Sequence, residues 1–485
     1  MNTSEIKEKT SIATRWSSLA ELAAKIISPI VNMILARLLT PEAFGVVATV
    51  TMITSFADIF TDAGFQKFIV QHDFESRKEL DQNTNVAFWT NLAISMILYV
   101  AIFVYRDGLA KLVGNEGLGM VIAVAALSLP MTSFSSIQTA RFKRDFDFKT
   151  VFYVRVLTSL VPVVVTVPLA ILLRSYWALV IGTLASNFVT AVVLYIKSPW
   201  KPGFYYNWIQ FKGMFSYSWW ILLESIAIWL TSYIGTFIVG LYLSEYYVGI
   251  YKTSMSTVNQ ITAIISAATS MPLFVALSRL KDNEKARTEM YCKYMQAISV
   301  LVVPLGVGIY LYREVITTVL LGSQWTEATE FIGLWGLMSS ISLILGTYCN
   351  GLFNAVGKTK LSFLAQILHL AALVPILLIT APKGFEVLYV SRTMVRLELI
   401  VVELLIMKIA LKFPLLKLFK EFIPSMICTL IMVLVSCLIY NIFDGILWKF
   451  VCVGICVCVY GLAMFLLYKD VLVNAMSTFG IHVRR

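Results

Sequence analysis

Apolar runs of about twenty residues, separated by short polar breaks, recur along almost the whole chain. The hydrocarbon core of a bilayer takes about 20 helical residues to cross, so each run predicts one transmembrane helix. The pattern places six near 13–39, 44–70, 84–105, 117–139, 150–173 and 176–196. Six more follow near 212–240, 245–277, 288–312, 328–352, 359–380 and 385–410, with a last pair near 421–441 and 446–468. An all-α integral membrane protein of about fourteen transmembrane helices is expected, with no soluble domain.

The order of polar breaks repeats. Segment LTPEAFGVV (39–47) aligns without gaps on LSEYYVGIY (243–251), pairing Leu39 with Leu243 and Gly45 with Gly249. At a nearly equal offset, Leu112-Val113-Gly114 meets Leu320-Leu321-Gly322, and the basic loop RFKR (141–144) corresponds in order to the loop holding Lys358 and Lys360. An offset spanning six helices keeps both copies in the same topology, so the repeats are parallel and related by an axis along the membrane normal. The chain is therefore divided into an N-terminal lobe over 1–200 (helices 1–6), a C-terminal lobe over 201–412 (helices 7–12), and a helix pair with a cytoplasmic tail over 413–485.

Composition agrees: 59% of residues are hydrophobic and 14% charged, against roughly 25% charged in soluble domains. The net charge of +11 lies in short loops, where anionic phospholipid head groups account for it, so no nucleic acid partner is expected. Lys and Arg crowd the N-terminus, the even-numbered loops and the C-terminal tail, as with Arg279, Lys281, Lys285, Arg287 and Lys293 in one loop. The odd-numbered loops keep Arg37, Arg106, Lys111, Arg174, Arg313 and Lys383. Cationic loops resist translocation, so both termini are expected in the cytoplasm. The N-terminal segment shows no pattern of a cleaved signal peptide.

Charges inside apolar helices cost several kcal/mol unless they face a cavity or find partners, so each is a candidate functional group. Helix 1 holds Arg15, Glu21 and Lys25, with Lys25 close to the midplane and Glu21 one turn away. Helix 2 carries Asp58 and Asp62 one turn apart, an arrangement able to hold a proton or Na+, or to pair with Arg15 or Arg155. Helix 7 has Glu224 flanked by Trp219, Trp220 and Trp229. Helix 12 places Arg392, Arg396 and Glu403 on one stripe and turns Glu398 elsewhere. Two arginines one turn apart suit phosphate or pyrophosphate, which their planar forks bind bidentately; salt bridges to Glu398 or Glu403 are the alternative. Arg15, Lys25, Arg155, Arg392 and Arg396 are thus candidate anion contacts, and Glu21, Asp58, Asp62 and Glu224 candidate ion-coupling or gating groups.

Enzyme signatures are weak. Five residues separate Gly351 from Gly357-Lys358-Thr359, where a nucleotide-binding loop needs four. His72, His369 and His482 are scattered, and Cys452, Cys456 and Cys458 lack metal-ligand spacing. No covalent chemistry, metal or cofactor is expected, the coupling ion (H+ or Na+) apart.

Helix 1 into helix 2 reads RWSSLAELAAKIISPIVNMILARLLTPEAFGVVA, followed by DAGFQKFIVQ (62–71). The ARLL-x-PE-x-FG element (36–45), Asp62-x-Gly64 with Gln71, RFKRDF (141–146), WALV (177–180), LSRLKDN (277–283), GSQW (322–325) and NAVGKTK (354–360) follow in order. Together they resemble the Wzx-type polysaccharide flippases, especially their WzxC-like branch. The resemblance implies the multidrug/oligosaccharidyl-lipid/polysaccharide exporter fold, with two six-helix lobes that expose a central cavity alternately to either side. It further implies an undecaprenyl-pyrophosphate-linked oligosaccharide moved from inner to outer leaflet for O-antigen, capsule or exopolysaccharide assembly. Membrane lipids, a polysaccharide polymerase and glycosyltransferases are the partners that such a role implies. A cation-coupled multidrug exporter on the same architecture is the alternative, and a scaffold for polysaccharide enzymes a more distant one.

Overall fold

The computed structural model describes Trp16, residues 25–62 and residues 64–478; the side chains of Asp62 and Glu224 lie outside the described set. Long helices follow one another in chain order: α1 (25–38), α2 (Pro41–Asp62), α3 (Arg77–Val104), α4 (Gly119–Arg144), α5 (Phe148–Leu173), α6 (Trp177–Lys197) and α7 (Trp208–Tyr242). They continue as α8 (Glu245–Arg279), α9 (Glu284–Leu311), α10 (Ser323–Ala355), α11 (Thr359–Thr380), α12 (Phe385–Leu411), α13 (Leu415–Ile439) and α14 (Ile446–Leu467). Among the described residues there is no strand.

Twelve described helical stretches are long and apolar enough to cross a membrane, so this is a multi-pass membrane protein. Two of the fourteen expected spans fall short by that measure. Only the second half of the first is described, and α12 carries Arg392, Arg396, Glu398 and Glu403 in its middle. Local chemistry sets the boundaries. Ser76 accepts a hydrogen bond from Glu79 N–H at the start of α3, and Asp147 from Thr150 N–H at the start of α5. Asn283 does the same for Ala286 N–H at the start of α9, supplying an acceptor to otherwise orphaned donors.

The chain clusters into two compact units, residues 1–252 and 253–485, with the division inside α8. In the first unit, α4 packs against α3 and α6, and α7 against α2. The repeat appears there as a reciprocal close approach. A Cβ on Gly45 would lie 1.8 Å from the Glu245 carbonyl oxygen, and one on Gly249 would lie 1.9 Å from that of Pro41. Gly45 and Gly249 are aligned positions of the repeat, as are Pro41 and Glu245, so the contact is self-complementary. Nearby, Gly114 has φ 77°, and its missing side chain makes room for the Gly240 carbonyl.

In the second unit, α9 packs against α10 and α13, α11 against α12, and α13 against α14. One apolar core of this unit joins Tyr291, Met295 and Ile298 of α9 to Leu352 and Phe353 of α10 and to Ile400, Leu404 and Met407 of α12. Helix α10 is interrupted by a π-helical turn over Leu343–Thr347. Such turns displace the residues that follow and recur at functional positions.

RFKR (141–144), read from sequence as a loop, is instead the last turn of α4. Arg141 is only 2% exposed; its Nη1 donates to Asp81 Oδ1 at 2.6 Å and to Thr84 Oγ1 at 3.2 Å. Arg144 Nη1 donates to the carbonyls of Ile69 and His72, each at 2.7 Å, and its guanidinium lies over Phe74. The basic motif therefore ties α4 to the 69–84 segment.

Candidate functional site

Two arginines of the second unit meet on one indole. Arg396 lies with its guanidinium carbon 3.7 Å from the centre of the Trp335 ring, and Arg392 with its own at 5.1 Å. Positions 392 and 396 are one turn apart on α12, so both forks reach the same face of α10. Arg396 Nη1 donates to Ser339 Oγ at 2.6 Å, and Trp335 Nε1 donates to Asn259 Oδ1 at 3.3 Å. Trp335 and Arg392 are buried, and Arg396 is half-buried. A guanidinium on an indole face is held by the ring quadrupole without losing its in-plane donors, which are what a phosphate oxygen needs.

The carboxylates of α12 separate as the helical stripe implies. Glu398 turns to α11, where its Oε2 lies 3.0 Å from Nδ1 of the buried His369. Glu403 faces α10 and accepts from Asn350 Nδ2.

In the first unit, an aromatic ladder crosses from α2 to α8. Phe60 meets Phe56 with ring centres 5.3 Å apart, Phe56 meets Trp229 at 4.7 Å, and Trp229 stacks on Tyr233 at 5.4 Å. Lys252 Nζ ends the ladder 4.2 Å from the Tyr233 ring centre. Trp229 Nε1 donates to Ser55 Oγ at 3.0 Å, which fixes the indole. Asp58, two residues beyond Phe56, accepts from Thr61 Oγ1 and Thr132 Oγ1, both at 2.9 Å. Two hydroxyls thus meet one oxygen of this carboxylate, Oδ1; Arg15, one of the partners considered from sequence, lies outside the described residues.

Of the residues singled out by sequence, Arg392 and Arg396 are brought together. Asp58 sits in the first unit beside the ladder. Lys25 is half-buried at the start of described α1, and Arg155 is exposed on α5. Asp62 ends α2 and Glu224 lies within α7, with nothing described of their side chains; Arg15 and Glu21 lie outside the described residues. Sequence reasoning missed Lys252, Trp335 and Asn350. Lys252 stands near the start of a long apolar run, where a lysine reads as an interfacial anchor. Trp335 and Asn350 carry no charge to mark them.

These features define a many-helix membrane fold with charged side chains inside its spans, and comparison with solved structures bears out that fold. A lipid II flippase MurJ in an inward closed conformation matches with a TM-score of 0.72 and 15% identity, over 94% of this chain and 99% of that one. An inward-facing multidrug resistance MATE family transporter matches at 0.60 and 12%, over 81% and 94%. The chain belongs to the polysaccharide biosynthesis protein family, whose profile matches residues 34–330. It is 25% identical over 337 residues to the succinoglycan biosynthesis transport protein ExoT of Rhizobium meliloti, covering 69% of this chain and 67% of that protein. To the lipopolysaccharide biosynthesis protein WzxC of Escherichia coli it is 20% identical over 384 residues, covering 77% and 75%.

Proposed function

We propose that this protein is a flippase that moves an undecaprenyl-pyrophosphate-linked oligosaccharide from the inner to the outer leaflet of the bacterial cytoplasmic membrane by alternating access, with both termini cytoplasmic. Family membership and relatives that cover two thirds or more of each chain support it. The observation that carries the reading is the pair of guanidiniums held on Trp335, because a pyrophosphate entering an apolar bundle needs fixed cations to offset its charge. Lys25, Arg155 and Arg15 are further anion contacts in this reading. The aromatic ladder ending at Lys252 is suited to a glycan, since sugar C–H faces pack on rings. No bond is made or broken. The drive is a proton or sodium gradient, with Glu21, Asp58, Asp62 and Glu224 as coupling or gating groups. The two lobes drawn from the repeat are the moving bodies in this reading, with α7 and the start of α8 carried with the first by their packing on α2. A polymerase and glycosyltransferases act on either side of the step.

The test is translocation of a labelled lipid-linked oligosaccharide in proteoliposomes. A Lys25→Ala, Arg392→Ala, Arg396→Ala variant that folds as wild type is expected to lose most of the rate; an unchanged rate overturns the cationic-site reading. Efflux of cationic drugs without glycan translocation would favour the multidrug alternative.

A further inference from the structure

Glu403 is 1% exposed, in the middle of α12, and its surroundings leave it short of one hydrogen. Oε1 accepts from Asn350 Nδ2. Oε2 is buried without a hydrogen-bond partner among the described residues, and so is Asn350 Oδ1. Both orphans are acceptors, and they belong to two side chains already joined. A carboxylate buried with a single hydrogen bond costs several kcal/mol, because its charge loses water and gains little in return.

The titratable neighbours do not repair this deficit. From α9 comes Tyr291, whose hydroxyl lies 3.6 Å from Cys349 Sγ of α10. From α11 comes His369, held by Glu398 of α12. Arg392 and Arg396, further along α12, lie on Trp335. Ile400, Leu404 and Met407, beside Glu403 along α12, and Leu352 of α10 belong to an apolar core of the second unit. Two side-chain oxygens are far fewer than the roughly six that a hard metal cation takes. One proton suffices. Placed on Oε2, it turns the carboxylate into a neutral acid, and an acid facing an amide closes two reciprocal hydrogen bonds, Asn350 N–H to Oε1 and Oε2–H to Asn350 Oδ1. A single hydrogen answers both orphans and removes the buried charge.

The backbone is shaped for this side chain. Gly346 lies in the π-helical turn of α10, and a Cβ there would come within 2.7 Å of Glu403 Oε2. The interrupted helix and the missing side chain together make the space into which Glu403 fits.

We propose that Glu403 and Asn350 form a proton-binding site between α12 and the π-helical turn of α10, loaded in the conformation described here and emptied when α12 parts from that turn and admits water. The role of this site in driving transport rests on the flippase reading; its occupancy by a proton does not.

Infrared difference spectroscopy on the purified full-length protein, titrated across neutral pH, tests occupancy directly. A carbonyl stretch of a protonated carboxylic acid is expected at neutral pH in wild type and expected to vanish in Glu403→Gln. In Asn350→Leu it should shift to the frequency of an acid without a hydrogen-bonded carbonyl, which keeps the test decisive if one variant folds poorly. A spectrum that Glu403→Gln leaves unchanged shows an ionised Glu403, with water meeting the orphan oxygens, and overturns the site. The coupling is read in proteoliposomes with an imposed gradient. One pH unit bounds the gain per coupled proton at about tenfold. Wild type should respond to the gradient, whereas Glu403→Gln should keep the gradient-free rate and lose the response. A retained response alongside the lost band would make the proton purely structural. If wild type moves no lipid-linked glycan while the band persists, the flippase reading fails and the proton site stands.

Discussion

Two guanidiniums on one indole is an arrangement that lysine cannot reproduce, because an ammonium offers neither a flat face to the ring nor a planar fork to an anion. Arg396→Lys is therefore expected to behave nearly as Arg396→Ala, with the half-saturating concentration of lipid-linked glycan raised about tenfold in translocation assays, the worth of one charge-assisted hydrogen bond. Rescue by lysine would mean that net charge alone matters there. Arg141 has a different part, since its partners Asp81 and Thr84 are on α3, within its own unit. Arg141→Ala leaves those groups without their donor and should cost about 2 kcal/mol, read as faster thermal inactivation. An Asp81→Asn cycle should show most of that loss to be shared with Asp81. Both arginines were visible in sequence as charges in or beside apolar runs. Their roles were not, because a ligand contact and a structural clamp call for the same residue and differ only in what lies opposite.

Helices pack as closely as their smallest residues allow, and α2 meets α8 through Gly45 and Gly249. Ala at either position drives a methyl into a backbone carbonyl, which cannot rotate away as a side chain would. Overpacking of this kind costs about 1–3 kcal/mol, and each substitution should lower the thermal midpoint. Gly213, with nothing within 4 Å of its would-be Cβ, is the matched control inside α7. Ala there should leave stability unchanged or raise it by about 0.5–1 kcal/mol. A second element-level tie joins α14 to the short helix Arg313–Leu320: Lys449 Nζ lies 2.6 Å from Glu314 Oε2, which also accepts from the Tyr440 hydroxyl. The Lys449 hydrogen bond holds the Glu314 carboxyl below its ordinary range. A depressed carboxyl adds stability above its unfolded-state value and loses it as pH falls through the folded one. Mild acid should therefore loosen this end of α14. The effect should stay below about 1 kcal/mol, because the pair is solvent-facing, and it should be absent in Glu314→Gln.

For the whole molecule, the charge asymmetry of the loops predicts that both termini lie on one side. Reporter fusions after Arg485 should report the cytoplasm and fusions at Asn441 the opposite face; the reverse result would invert the direction proposed for transport. Sequence by itself determined the helical membrane class, because twenty-residue apolar runs have no other stable home, and it located the repeat through Gly45 and Gly249. It also put Arg392, Arg396 and Glu403 on one stripe of α12, since helical periodicity follows from spacing alone. Only the tertiary structure decided what those charges meet. Trp335 gathers both arginines, the Thr61 and Thr132 hydroxyls meet Asp58 Oδ1, and Asn350 with Gly346 encloses Glu403, each through a neutral partner that hydropathy cannot single out. The π-helical turn was equally hidden, because one residue of helical slippage changes no apolar run. Spans and faces follow from the order of residues along one helix, whereas partners depend on which helices are pressed together, a property of packing that no single segment carries.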